Sequence, residues 1–482
     1  MSYGLILRIQ GFLLIFLGIS MCAPALVAVA YGDFDVQAFL LSIIITLLTG
    51  LLLIFIYPAS EKQISHREGF IIVSLGWILA AFFGSLPFVF SETFPTFTDA
   101  YFETVSGFTT TGATIIADIE AMPHAILFWR SMIQWLGGMG IILFSIAILP
   151  LLGIGGMQLY KAEVPGPVVE KIKPRIAETA RSLWKVYILL SLAEMLLLML
   201  AGMNLFDAVC HTFTTMATGG FSTKNKSIES FNNSYIEIII IVFMFAAGMN
   251  FALHYRVFHG KLKSFIHDKE FLFYACFLCG ATLLCTISLQ FGSVEGDIAT
   301  RLRLAAFQAT SIMTTTGYST ANFNVWPYFA QYILLLLMFV GGCAGSTGGG
   351  IKCIRILVIL KRCYRELFYI IHPHAVASVK ISGKTIPENI LRGLTGFVIL
   401  YVLIFIIGSL AMSMCGLDFM TAVSAVAASL GNIGPGFAGV GPYENFLFIP
   451  ATGKWMLILL MLLGRLEIFT LLILFVPEFW RR

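Results

Sequence analysis

Stretches of about 20 apolar residues recur along this chain, and no other feature constrains its fold as strongly. A helix that rises 1.5 Å per residue needs about 20 apolar residues to cross the roughly 30 Å hydrocarbon core of a bilayer. Ten segments reach that length: 8–30, 38–57, 70–90, 125–150, 182–202, 235–256, 270–291, 328–361, 390–414 and 454–477. The sequence therefore predicts an all-α, polytopic membrane protein. No convincing cleavage site follows the first segment, so we expect it to be a retained helix.

The composition excludes several classes of protein. Of the 482 residues, 58% are hydrophobic and 12% are charged, whereas about 25% of the residues of a soluble domain are charged. A water-soluble enzyme, a disordered chain and a nucleic-acid-binding protein are therefore excluded. The lipid bilayer is the first partner that the composition predicts.

Four shorter and more polar segments lie between the long ones, at residues 99–110, 207–217, 301–314 and 418–431. Each is too short to span the hydrocarbon core, which favours four re-entrant half-helices. Each runs into a loop rich in Thr and Gly, at residues 109–114, 216–223, 314–320 and 431–437.

The four loops align with one another as an internal repeat of about a hundred residues. The aligned glycines are Gly112, Gly219, Gly317 and Gly434. Each unit is a long helix, a half-helix, a loop and a second long helix (M1-P-M2), arranged around a pseudo-fourfold pore. The predicted domains are a two-helix hairpin at 1–60 and pore repeats at 61–160, 161–262, 263–376 (with a broken second helix) and 377–482.

The distribution of Lys and Arg predicts the orientation. With the Thr/Gly loops on one side, most of the 30 basic residues fall on the other, in clusters at 161–185, 256–269, 352–392 and 481–482. The positive-inside rule makes that side cytoplasmic, together with both termini. The outer connections carry many acids, which predicts an acidic vestibule that concentrates cations. These acids include Asp33, Asp35, Glu92, Asp99, Glu103, Asp118, Glu120 and Asp207.

Irregular backbone at membrane depth is tolerated where it is buried in protein or lines a water-filled cavity. Four such loops can form a ring whose carbonyl oxygens replace the water shell of a monovalent cation. The C-termini of the half-helices, with partial negative charge, would point at that cation. The alternative is that the small residues only pack helices together; the fourfold alignment favours the functional interpretation.

The eighth long segment contains a glycine-rich interruption at residues 341–350, where six of ten residues are Gly. Because each Gly in a helix interior costs about 1 kcal/mol, we expect a loop beneath the filter that blocks the pore and moves aside on opening. The alternative is a static kink or a helix crossing. The predicted gate residues of the loop are Gly341, Gly342, Gly345, Ser346, Thr347, Gly348, Gly349 and Gly350.

Two basic residues are associated with this loop. Arg465 lies within the tenth apolar segment, where an ionisable side chain needs a partner or water. We expect it to bind carbonyls of the loop and to oppose cation passage; the alternative is a buried ion pair with Glu467 or Glu194. Lys352 follows the loop and either faces the cavity or acts as a cytoplasmic anchor.

Five stretches, at 123–128, 135–141, 155–160, 174–180 and 341–350, carry a family resemblance. Over its whole length the chain resembles the membrane subunits of bacterial Trk-type potassium uptake systems (the TrkH/TrkG kind, in the Trk/Ktr/HKT superfamily). The resemblance implies potassium as substrate and a homodimer in the bacterial cytoplasmic (inner) membrane. It also implies a separate TrkA-like cytosolic ring that binds a nucleotide, NAD(H) or ATP/ADP, while this chain binds no cofactor beyond potassium ions.

The resemblance also implies the residues of the selectivity filter. Ala217 and Ile433 depart from the Thr-rich pattern of the other two loops, so these positions offer a carbonyl and no hydroxyl. The implied filter is Thr110, Thr111 and Gly112; Ala217, Thr218 and Gly219; Thr315, Thr316 and Gly317; and Asn432, Ile433 and Gly434.

Three functions compete at this point. A gated potassium pore is the first. A symporter coupled to protons or sodium is the second, although carriers usually show two inverted repeats; its acid would be Glu194 or Glu467. A membrane enzyme is the third, but the sequence has no HExxH and no nucleophile elbow.

Overall fold

The computed structural model describes residues 1–58, 64–140, 176–261, 263–292, 296–375, 377–381 and 384–481. Within these ranges, six helices are long and apolar enough to cross a bilayer, and two bent helix pairs raise that number to eight. The prediction of an all-α polytopic membrane protein is confirmed. Two predicted spans differ: the segment 125–150 leaves the described residues after 140, and the segment 328–361 is broken by a loop.

An N-terminal hairpin precedes the repeats. Tyr3–Ser20 and Cys22–Tyr31 form its first span, and Val36–Ile56 packs against it. Gly11 and Gly50 face each other so closely that a Cβ on either would lie 2.8 Å from the other's carbonyl oxygen. The missing side chains therefore let the two helices approach at this point.

Four long helices begin the four repeats: His66–Gly84 (continued by Leu86–Phe90), Ile176–Leu200, Lys269–Gln290 and Glu388–Met414. Half-helices 1 to 4 follow them: Phe97–Phe108, Leu205–Met216, Ile298–Met313 and Phe419–Gly431. The second long helices begin with His124–Gly138, Ser234–Ala247, Tyr328–Leu337 and Ala451–Arg465.

The second long helices of repeats 2, 3 and 4 all break at membrane depth. Ser234–Ala247 turns into Phe251–Phe258 at 102°, and Ala451–Arg465 turns into Phe469–Phe475 at 111°. In repeat 3, residues 338–352 separate Tyr328–Leu337 from Cys353–Ile371. Only the third break was expected, so the prediction of continuous helices over 235–256 and 454–477 is wrong. Gly248 and Asn250 lie at the first bend, and Arg465 and Glu467 lie at the second. Each helix pair nevertheless has the average hydropathy of a span, so average hydropathy carries no signal of a broken backbone.

The remaining elements are short. The 3-10 helices are Ser227–Phe231, Phe323–Val325, Ala438–Val440 and Ile473–Phe475, and the short α-helices are Ser264–His267, Phe469–Leu472 and Pro477–Trp480. Lys380–Ile381 and Lys384–Thr385 pair antiparallel. The basic residues of 161–175, the boundary predicted between repeats 1 and 2, and the stretch 155–160 lie outside the described residues. The domain boundaries stay a prediction.

Candidate functional site

Each half-helix begins with a side-chain cap on its outer end. The capping side chains accept hydrogen bonds from a backbone N–H three residues later, which satisfies one of the unpaired donors at a helix start. The pairs are Thr96 with Asp99, Asn204 with Asp207, Asp297 with Thr300, and Asp418 with Thr421. An acid thus lies at the start of every half-helix: Asp99, Asp207, Asp297 and Asp418.

All four loops leave their half-helices by the same turn. In each, the backbone N–H of one residue donates to the carbonyl five residues earlier at 2.8 Å. A non-glycine residue with φ between +53° and +61° comes just before this donor residue. A glycine with φ between +75° and +102° comes just after it. The three-residue sets in this conformation are Thr110-Thr111-Gly112, Thr218-Gly219-Gly220, Thr315-Thr316-Gly317 and Asn432-Ile433-Gly434.

This geometry corrects the alignment of the second loop by one residue. Gly220, with φ +75°, takes the position of Gly112, whereas the sequence alignment placed Gly219 there. Ala217 ends half-helix 2 and is equivalent to Thr109, outside the repeated set. Two consecutive glycines explain the error, because the sequence does not show which of them adopts the left-handed conformation.

The four loops contact one another in a closed ring. At each step a Cβ on a glycine of one loop would come within 2.7 Å of a backbone oxygen of the next. The contacts run from Gly112 to Gly219, from Gly220 to Thr316, from Gly317 to Ile433, and from Gly434 back to Thr111. Glycine is therefore required at these positions both by the left-handed backbone and by the approach of the neighbouring loop.

The ring presents backbone carbonyl oxygens that make few hydrogen bonds. Of the twelve carbonyls in the repeated sets, only that of Gly219 accepts a hydrogen bond from the described part of the chain, from Gln134. Side-chain hydroxyls of the second positions turn back instead: Thr111 bonds Thr109 and Thr316 bonds Thr314, both at 2.8 Å. Buried carbonyls without donors are costly unless a ligand satisfies them, and a dehydrated cation is such a ligand.

Gln134 is a residue of the site that sequence reasoning missed. Its Nε2 donates to Gly219 O at 2.8 Å and its Oε1 accepts from Phe221 N at 3.1 Å. It fills the space where the other loops carry Thr111, Thr316 or Ile433. The sequence carries only an indirect signal for Gln134. The second loop has Gly219 where the other loops have a side chain, so another residue must fill that space.

A buried ion pair supports the first loop. Glu103 on half-helix 1 accepts from Arg130 Nε at 2.9 Å and Nη2 at 2.8 Å, and neither side chain is more than 1% exposed. The carboxylate also accepts from Thr114 Oγ1 and Ile115 N, just beyond the ring. Arg130 lies 4.1 Å from the ring centroid of Phe221 in the second loop. The pair therefore joins two neighbouring loops.

A cavity lies on one side of the ring, and Gly112, Gly220, Gly317 and Gly434 line it. Its charged lining residues in the described chain are Arg130, Lys224 and Glu444. This cavity is therefore not lined by a cluster of acids, and the acidic vestibule stays a prediction. The acids of half-helices 1 and 2 are buried and engaged in the protein: Asp99, for example, binds Lys454 at 2.6 Å. The capping acids Asp297 and Asp418 of half-helices 3 and 4 are exposed.

The intramembrane loop, residues 341–350, lies against the C-terminal ends of three half-helices, on the other side of the ring. Thr347 Oγ1 donates to Met216 O at 3.0 Å, and Gly349 N donates to Thr315 Oγ1 at 2.7 Å. A Cβ on Gly349 would also overlap the carbonyl oxygen of Gly431. The glycines thus allow the loop to fit directly beneath the ring.

Arg465 and Lys352 both donate to this region. Arg465 Nη1 donates to Thr347 O at 2.8 Å, and its Nη2 donates to the carbonyls of Gly137 and Gly138 at 2.5 and 3.1 Å. Lys352, which is 2% exposed, donates to Gly348 O. Glu467, the alternative partner expected for Arg465, binds Arg355.

Comparisons with known proteins agree with this architecture. The family model of the TrkH "Cation transport protein" matches residues 35–482. The Trk system potassium uptake protein TrkH of Salmonella typhimurium is 45% identical over the full length of both chains. TrkG of Escherichia coli K12 is 38% identical over 98% of this chain and 97% of that protein. The crystal structure of the potassium transporter TrkH from Vibrio parahaemolyticus covers both chains fully, with a TM-score of 0.90 and 41% identity.

The fold and the site define a multi-pass, all-α membrane transport protein rather than an enzyme. The chain belongs to the TrkH family of cation transport proteins. The expected Trk-type resemblance is thereby confirmed.

Proposed function

We propose that this chain takes up potassium through a gated, cation-selective pore along the axis of the four-loop ring. The closed ring of nearly unbonded carbonyl oxygens carries the proposal. Such oxygens replace the hydration shell of a monovalent cation. The full-length relatives are named as potassium uptake proteins, which supports potassium as the ion.

The proposed filter uses the structural alignment. It comprises Thr110, Thr111 and Gly112; Thr218, Gly219 and Gly220; Thr315, Thr316 and Gly317; and Asn432, Ile433 and Gly434. Ala217 is left out because it lies at the end of half-helix 2. The four half-helix C-termini add a negative potential at the ring.

The proposed gate is the intramembrane loop, residues 341–350, held by Arg465 and Lys352. Both cations donate to carbonyls of the loop, and both oppose the passage of another cation by charge repulsion. When the loop moves aside, ions flow inward down the membrane potential, which contributes about 2.3 kcal/mol per charge per 100 mV.

Assembly, regulation and orientation complete the proposal. The chain would act as a homodimer in the bacterial inner membrane, with both termini in the cytoplasm. A separate TrkA-like ring that binds NAD(H) or ATP/ADP would open the gate. The helix Cys353–Ile371, which carries Lys361, Arg362 and Arg365 and exposed apolar residues, supports a cytoplasmic docking face.

Symport coupled to protons or sodium is the second candidate, and one buried acid favours it. Glu194 lies within the span Ala180–Leu200 and is 0% exposed. An acid at this depth is costly and often marks a proton pathway. Glu467, the other candidate acid, is held in an ion pair with Arg355, which makes it the weaker candidate for a proton pathway.

The reversal potential of the purified protein in planar bilayers tests the two candidates. With a potassium gradient fixed, pH and sodium are varied on one side. A value that follows potassium alone supports the pore, and a value that shifts with pH or sodium supports coupling. Gly220→Ser should abolish the current, while the control Gly280→Ser, where a Cβ would meet no atom within 4 Å, should retain it. A normal potassium-selective current from Gly220→Ser would contradict the filter.

A further inference from the structure

Glu270 makes two hydrogen bonds that join separate parts of the gate region. It lies at the start of the helix Lys269–Gln290 and is 9% exposed. One carboxylate oxygen, Oε1, accepts from the backbone N–H of Ala344 at 2.6 Å and from that of Ile354 at 3.2 Å. Ala344 belongs to the intramembrane loop, and Ile354 belongs to the first turn of Cys353–Ile371.

The bond to Ile354 makes Glu270 a cap for that helix. Lys352, at the N-cap position, makes no side-chain capping bond, so a carboxylate from another helix satisfies one of the free N–H groups. A negative charge is also favourable at this end of the helix dipole. The position of the helix Cys353–Ile371 is therefore linked to the position of the Glu270 carboxylate.

The bond to Ala344 adds a second charged contact to the loop beside that of Arg465. Arg465 binds the carbonyl oxygen of Thr347, whereas Glu270 binds the N–H of Ala344, three residues earlier. Hydrogen bonds to charged groups are about twice as strong as neutral ones. The middle of the loop is thus held at two positions by charges of opposite sign.

We propose that Glu270 is a positioning residue that couples the helix Cys353–Ile371 to the intramembrane loop, so that displacement of this helix releases the loop. The inference rests on the proposed gate function. A partner that moves this helix by its basic and apolar face pulls Ile354 away from Oε1. The carboxylate then loses one of its two donors and no longer holds Ala344 in place.

Native cysteines give a test that does not depend on transport. Cys343, which is 1% exposed, precedes Ala344, whereas Cys363 on the helix Cys353–Ile371 is exposed. The protein in proteoliposomes is treated with a charged, membrane-impermeant maleimide, and modified cysteines are counted by peptide mass spectrometry. Glu270→Ala should speed modification of Cys343 at least about tenfold, because two charge-assisted hydrogen bonds are lost. Glu270→Gln, which keeps an amide oxygen as acceptor, should be intermediate.

Asp268→Asn is the matched control. Asp268 caps the helix Lys269–Gln290, on which Glu270 lies, by accepting from Phe271 N at 2.9 Å, and Asn caps equally well. Equal rates at Cys343 in Glu270→Ala and Asp268→Asn would overturn the proposal; if the Ala variant does not fold, equal rates in Glu270→Gln and Asp268→Asn would do so. Potassium flux, measured in parallel, should rise with unchanged selectivity over sodium. Faster Cys343 modification with no flux in any variant, wild type included, would support the coupling and reject the pore.

Discussion

At the residue scale, the two glycines of the second loop should respond differently to substitution. A Cβ on Gly220 would overlap a backbone oxygen of Thr316, and its φ is +75°, so Gly220→Ala costs at least about 1–2 kcal/mol and cannot be relieved locally. A Cβ on Gly219 would meet only the end of the Gln134 side chain. We expect potassium uptake to fall at least tenfold in Gly220→Ala, at normal expression.

Gly219→Ala should instead be partly rescued by Gln134→Ala, which removes the clash. Uptake in a potassium-uptake-deficient strain, measured for both single variants and the double variant, checks this. Equal rescue of Gly220→Ala by Gln134→Ala would contradict the structural alignment.

The Glu103–Arg130 ion pair should behave as a buried unit. Removing one partner leaves an uncompensated charge, which costs about 3–5 kcal/mol. Glu103→Gln and Arg130→Gln should therefore each lower the unfolding temperature strongly, and the double variant should lose less than the sum. Thermal unfolding of the purified variants measures the coupling. Additive losses would mean that the two side chains do not depend on each other.

Asp35, in the outer connection before Val36–Ile56, gives a pH-dependent prediction. Burial and the neighbouring Asp33 carboxylate raise the pKa of Asp35 to about 6. A carboxyl whose pKa is higher in the folded than in the unfolded state favours folding at low pH, and this contribution is lost as pH rises from about 4 to about 6. Asp35→Asn should thus stabilise the protein at pH 7.5 relative to wild type and have little effect at pH 4.5. Thermal unfolding at both pH values checks the sign.

At the element scale, the intramembrane loop should depend on the planar guanidinium of Arg465. It donates to carbonyls of Thr347, Gly137 and Gly138 at once, and an ammonium group cannot reproduce that geometry. Arg465→Lys should raise the basal potassium current severalfold and Arg465→Ala more so, with selectivity over sodium unchanged. Single-channel recording separates open probability from conductance. A fall in conductance at constant open probability would argue against a gate.

The same scale shows what the sequence could and could not predict. The half-helices follow from segment length, their caps follow from Thr, Asn and Asp at the helix starts, and the intramembrane loop follows from helix-breaking glycine. The bends after Ala247 and Arg465 do not, because each helix pair still has the average hydropathy of a span. The role of Gln134 and the burial of Glu103 depend on neighbours far along the chain, which no local pattern reports.

At the scale of the whole molecule, the ring separates the end that holds the cavity from the end that holds the helix Cys353–Ile371. The end with the outer cavity carries the loop residue Lys224, while the opposite end carries the helix Cys353–Ile371 with its basic residues. By the positive-inside rule we expect the second end to face the cytoplasm. The direction of uptake depends on this assignment, since the membrane potential drives cations toward the negative side.

Accessibility of single sites in cells tests that orientation. Lys224 lines the outer cavity and is partly exposed, and Cys363 is exposed on the helix at the other end. In intact cells an impermeant thiol reagent should modify the variant Lys224→Cys and leave Cys363 unmodified; inverted membrane vesicles should give the reverse. Modification of Cys363 from outside would show that the protein has the opposite orientation in the membrane. The intramembrane loop would then face the exterior, and a cytosolic ring could not act on the helix that Glu270 joins to it.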